Sequence, residues 1–178
     1  MIQLTNLNEV NKFIGNVLVT QSELTRDNVY NALSLHGTPL HKRLLETNFI
    51  SYDVSECVLL FELESENGSD NVSMTLDNGT IVYDKTYKVS ITIYGNASED
   101  VANKTIARLR SEKVRQDIQE NGLCILNVTN SQTANEFVND TMWHRSDFAI
   151  KLGCEIVIQP ISESYDFDTA NFEIIRII

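Results

Sequence analysis

Between Phe148 and Ile158 every second residue is apolar: Phe148, Ile150, Leu152, Cys154, Ile156 and Ile158. Only an extended chain gathers such residues on one side, because successive side chains of a strand point to opposite faces. A second run repeats the signal, with Tyr87, Val89, Ile91 and Ile93 alternating with Lys88, Ser90, Thr92 and Tyr94. Half-buried strands of this kind need a sheet around them and a layer that covers its apolar face. Helical spacing upstream supplies that layer. Leu7, Val10, Ile14 and Val17, widened by Leu18, make 6–20 an amphipathic helix, with Gly15 as its weak point. Thr25 then caps a second helix carrying Val29, Ala32 and Leu33 and closed by Gly37, and Thr38-Pro39 opens a short third one to about Glu46.

The period changes after residue 50. Glu56–Glu64 is apolar on both sides at its centre, which fits a strand buried on two faces. Val72, Met74 and Leu76 face Ile81-Val82-Tyr83 across Asp77-Asn78-Gly79, a hairpin signature. Ser98 stands where a helix cap belongs, followed by Glu99 and Asp100 in a first turn and by Val101, Thr105, Ile106 and Leu109 on an inner face. Another helix starts at Ser111, buries Val114 and Ile118, and stops at Gly122. Leu123–Val128 and Phe172–Ile178 read as further strands. The expected fold is therefore α+β, an antiparallel or mixed sheet backed by helices. It forms one domain over 1–178, helical in 1–50, with the sheet and two central helices in 51–178.

The chain carries little that suggests chemistry. His36, His41 and His144 are not spaced as metal ligands, and no phosphate-loop, dinucleotide or hydrolase signature occurs. Cys57, Cys124 and Cys154 are odd in number and far apart, so buried free thiols are expected rather than disulfides. Paired carboxylates such as Glu62 and Glu64, or Asp166 and Asp168, are common in so acidic a chain and lack a partnering lysine of the nuclease kind. No catalytic residue, metal or cofactor is expected. An apolar run long enough to span a membrane and a basic, apolar leader are both lacking, which points to a soluble protein made in a cytoplasm.

Charge is unevenly spread. The formal net charge is -11, and residues 51–100 hold ten acids against two bases. Glu62, Glu64, Glu66, Asp70 and Asp77 belong to this stretch, which repels phosphates. It is either a solvated hairpin or an acidic wall. Lys104, Arg108, Arg110, Lys113 and Arg115 form the one basic patch, open to self-association, to solvent or to nucleic acid, although the interleaved aromatics of a nucleic-acid surface are missing. The single Trp, Trp143, stands with Arg145 and Phe148 before the longest alternating run, and either completes the core or anchors an interface.

Two segments, Ala107–Val128 (ARLRSEKVRQDIQENGLCILNV) and Trp143-His144-Arg145-Ser146-Asp147-Phe148-Ala149-Ile150, resemble the phage neck terminator and tail-terminator-like family. There a helix with an LR or LRS step runs into a second helix, a Gly-ended turn, a short strand, and a W-x-R-x-x-apolar opening to a long strand. The likeness is clearest from Tyr87 to Ile158, and the acidic hairpin Glu66–Asp84 departs from it. It implies a structural virion protein of the neck, assembled in the host cytoplasm and built into a ring that is six-fold in relatives. The ring would bind the completed tail tube on one side and head-completion or adaptor proteins on the other, while genomic DNA passes through unbound. Under that reading Trp143, Arg145, Phe148, Lys104, Arg108 and Arg115 are interface residues. Glu62, Glu64, Glu66, Asp70 and Asp77 line the DNA passage. The alternative is a tail-completion or adhesin-like binding module that closes no ring.

Overall fold

The computed structural model describes residues 7–32, 57–66, 73–77, 79–138 and 141–158. In chain order these form α1 (Leu7–Ser22), a 3-10 turn (Arg26–Asn28), β1 (Val29–Asn31), β2 (Val58–Glu66), β3 (Ser73–Thr75), β4 (Ile81–Tyr94), α2 (Ser98–Leu109), α3 (Glu112–Glu120), β5 (Cys124–Val128), β6 (Gln132–Val138) and β7 (Thr141–Ile158). The fold is α+β, and its sheet is mixed. β1 is parallel to β2, and all other pairings are antiparallel.

Two long strands organise everything else. β4 and β7 pair without interruption from Tyr94↔Arg145 to Ile81↔Ile158. On the far side of β4 lie β2 and, beyond it along the same margin, β3. The far side of β7 is shared in the same way by β5 and β6, which meet Gly153–Ile150 and Asp147–Thr141. Because β4 stops at Tyr94, residues 141–144 of β7 pair only with β6. Those residues and Asn135–Val138 make a two-stranded ribbon that projects beyond the sheet.

The alternation read from sequence decides which face meets the helices. Leu59, Phe61, Leu63, Tyr87, Val89, Ile91, Ile93, Phe148, Ile150 and Leu152 form one buried core with Val10, Ile14 and Leu18 of α1, Ala102, Ile106 and Leu109 of α2, and Val114 and Ile118 of α3. Gly15 belongs there because a Cβ would approach the Phe61 ring to 3.3 Å, so its absence lets α1 lie close on β2. α1 then ends at Glu23, whose φ of 61° is left-handed, an uncommon conformation outside glycine that turns the chain sharply. Gly122 closes α3 with φ 85°, in the position glycine adopts without strain.

Several expectations change. The helix expected after Thr25 is a 3-10 turn followed by β1, because Val29-Tyr30-Asn31 find a parallel partner in Leu59-Leu60-Phe61 and strand pairing outweighs weak helical spacing. Ser98 is the first residue of α2 and caps nothing; it is buried, and its hydroxyl lies 3.3 Å from that of Ser146. β7 begins at Thr141, so Trp143 and Arg145 lie within the strand rather than ahead of it. β6 was not foreseen. Of the three free thiols only Cys57 is buried, and Cys124 is exposed on its edge strand. The Pro39–Glu46 helix with its Gly37 boundary, and the strand Phe172–Ile178, fall outside the described residues.

Candidate functional site

The second face of the sheet carries no described helix, and its residues follow from register alone. Opposite the core, each row crosses β2, β4 and β7: Val58–Tyr94–Arg145, Leu60–Thr92–Asp147, Glu62–Ser90–Ala149 and Glu64–Lys88–Lys151. The first rows are apolar on β2. Val58, Leu60, Tyr94 and Trp143 form a separate buried cluster, with Tyr30 of β1 packed against it. Phe148 faces the other way, into the helix-covered core.

Beside this cluster a polar network locks the ribbon to the sheet. Arg145 donates from Nε to Asp147 at 2.8 Å and from Nη1 to Glu136 of β6 at 2.9 Å. The Tyr94 hydroxyl donates to the same Glu136 oxygen at 3.0 Å, and Thr92 donates to Asp147 at 2.8 Å. The guanidinium thus bridges β6 and β7, and Tyr94 and Thr92 of β4 join the network through the same two carboxylates. The bond to Asp147 raises the affinity of Arg145 for its proton, and the bond to Glu136 adds to it. Burial raises the pKa of Tyr94, reinforced by the Glu136 carboxylate. A shallow groove lined by Leu60, Glu62, Ser90, Thr92, Tyr94 and Arg145 runs across this face.

The acidic residues separate. Glu62 is half-buried and Glu64 exposed on the same face, and Glu66 follows in register opposite Thr86. They occupy the part of β2 beyond the end of β1, at the margin of the described sheet. Lys88 and Lys151 stand in the same row as Glu64, so this face carries both signs. Asp77 is exposed in the β3–β4 turn, and Asp70 lies outside the described residues.

The basic patch is largely engaged within the chain. Arg108 donates to the Gln21 carbonyl at the end of α1 at 2.8 Å and pairs with Glu23. Arg110 reaches the Val128 carbonyl at 2.7 Å and Asn130 at 2.8 Å, while Arg115 reaches the Ile125 carbonyl at 3.0 Å. Each arginine therefore braces a helix against another element. Lys104 is exposed on the outer side of α2 and has none of these contacts. Sequence shows the basic residues but not the carbonyls they meet, since those are set by tertiary placement. Arg115→Ala is expected to lower unfolding free energy by about 1 kcal/mol. A denaturant titration indistinguishable from the parent would mean that the brace contributes nothing.

Among the described residues no group of His, Cys, Asp and Glu is arranged to hold a metal, and no helix is long and apolar enough to cross a membrane. His144 is exposed and its Nδ1 lies 2.8 Å from the Asn135 side-chain oxygen. The arrangement comprises a sheet face without a described helix, one buried aromatic cluster and a projecting ribbon. A family model described as phage neck terminator protein matches residues 39–177. Comparison with curated proteins gives no match.

Proposed function

The chain belongs to the phage neck terminator family, and from that premise we propose that it is a ring-forming subunit that caps the tail tube and joins it to head-completion proteins. The match over 39–177 carries this reading and makes the chain a structural protein of the phage neck. Ring closure needs heterologous contacts, in which one surface of a subunit meets a different surface of the next. A sheet with one helix-covered face and one face that carries no described helix offers two such different surfaces. The subunit acts by positioning its neighbours and performs no catalysis.

Inactivating the gene in the phage tests the reading. Filled heads and free tails should accumulate unjoined, visible by electron microscopy, and should be rejoined when the intact protein is supplied. Normal joined virions without the protein would overturn it.

For the DNA passage, two of the acidic residues proposed to line it, exposed Glu64 and half-buried Glu62, share the face that carries no described helix, and that placement supports a lining role. Like charge keeps phosphates from adhering as the genome slides past. Glu62→Lys with Glu64→Lys should then leave virions assembled but slow DNA ejection. Ejection at the parental rate would remove these carboxylates from the channel.

A further inference from the structure

The second face of the sheet is more deeply buried than its described neighbours account for. Val58 is 1% exposed, Leu60 5%, Tyr94 2% and Trp143 4%, yet among the described residues only Tyr30 is packed against these four. Side chains standing side by side on a sheet shield one another's flanks, and their outer ends stay in water unless another layer lies over them. The burial is also graded along β2. On this face Val58 and Leu60 are buried, Glu62 is half-buried and Glu64 is exposed, as are its row-mates Lys88 and Lys151. Such a gradient is that of a cover lying over the rows nearest β1 and stopping short of the Glu64 row.

Connectivity says which part of the chain can lie there. β1 and β2 are parallel, so the chain leaving β1 must cross back over one face of the sheet before it enters β2. Residues 33–56 make that crossing, and they exceed the dozen or so that a parallel crossover needs. Such crossovers are nearly always right-handed. The sheet contains a second one: β4 and β5 are both antiparallel to β7, hence parallel to each other, and α2 and α3 join them across the face of the main core. Along the order β1-β2-β4-β7-β5 both connections step in the same direction, but β1 and β2 run opposite to β4 and β5. When the hand is the same, reversing the strands reverses the face, so the β1–β2 crossing belongs opposite α2 and α3.

We infer that residues 33–56 run over this second face and cover Val58, Leu60, Tyr94 and Trp143, lying in the groove beside Thr92 and Arg145. Ala32, from which the connection departs, already lines that groove. The segment holds Leu40, Leu44, Leu45, Phe49 and Ile50, enough apolar surface to face the cluster. This inference goes beyond the family reading and does not rest on it. It makes the aromatic cluster an interior closed to neighbouring subunits, and it leaves the Glu64–Lys88–Lys151 row open to them.

Paramagnetic broadening tests the placement in the full chain. Lys42→Cys, in a Cys124→Ser background that lacks the exposed native thiol, takes a nitroxide label, and the background protein without the Lys42 change controls for reaction at Cys57 and Cys154. Amide signals of Leu60, Thr92 and Arg145 should lose intensity. Those of Val10–Leu18 in α1, which packs on the other face with Gly15 against Phe61, should keep theirs. Thr47→Cys gives a second label site should the first variant lose the native spectrum. If α1 loses at least as much intensity as Thr92 and Arg145, the crossing is on the helix side and the inference is overturned. Full retention of all these signals overturns it too, since the cluster would then be covered by something other than this connection.

Discussion

Trp143→Ala is expected to lower unfolding free energy by about 3–5 kcal/mol, a large fraction of the stability of a domain this size. Trp143 is buried on the side of the sheet away from the main core, where its cluster consists of Val58, Leu60 and Tyr94 with Tyr30 at the margin. So small a group cannot collapse around the missing ring, and the void persists. The loss also has a local address. Trp143 pairs with Glu136, so its removal loosens the root of the ribbon as well as the cluster. Thermal and denaturant unfolding of the variant check the magnitude, and faster amide exchange in Gln132–Val138 checks the location. A melting temperature unchanged from the parent would show that the cluster contributes no stability.

The second large effect is expected for Arg145→Met. This removes the cation that joins Asp147 and Glu136 while leaving both carboxylates about two-thirds covered. Unfolding free energy should fall by about 2 kcal/mol, less than for a fully buried pair because solvent already screens these groups. Replacing Glu136 and Asp147 together by Gln and Asn in the same background should recover part of the loss, since the repulsion disappears. No recovery would mean that Arg145 acts by packing alone. The same network predicts an alkaline limit. Tyr94 is held neutral in the folded state, its pKa raised above the ordinary value by burial and by Glu136. Unfolded tyrosine ionises near pH 10, so this contribution is complete below that pH and is lost as pH rises beyond it. Tyr94→Phe should flatten the decline above about pH 10 in a stability-versus-pH series.

How much of this could be read in advance depended on how each residue is used. Alternation made β4 and the second half of β7 legible because one face of each meets a helix layer and selects apolar residues. The first half of β7 was harder: Thr141–Asp147 pairs with the edge strand β6 throughout, and within Met142–Asp147 only Trp143 and Ser146 are buried. β6 left no trace at all, since Gln132, Thr133, Ala134, Asn135 and Phe137 are exposed and neither face imposes a pattern. Val29-Tyr30-Asn31 misled for a different reason. Three residues are too few to show a period, and their strand state comes from Leu59–Phe61, far along the chain. The Arg145 network had one visible clue, the Trp143-x-Arg145 spacing, which puts both on one face of a strand. Its partners Tyr94 and Glu136 come from other strands and could not be named from spacing.

The uninterrupted β4–β7 pairing also fixes the order in which the sheet can close. Every pair in that ladder encloses both α2 and α3 together with β5 and β6, so none can form by local zippering of neighbours, and folding is slow compared with a helical bundle. The loop is shortest at Tyr94↔Arg145 and lengthens pair by pair towards Ile81↔Ile158, and closure entropy grows with it. Nucleation is therefore least costly at the Tyr94 end, with the remaining pairs added outward. The chain's single Trp stands two residues from that first pair. Its indole packs against Val58, Leu60 and Tyr94 from the other half of the chain, so a stopped-flow fluorescence trace of the unmodified protein is expected to report when that cluster closes.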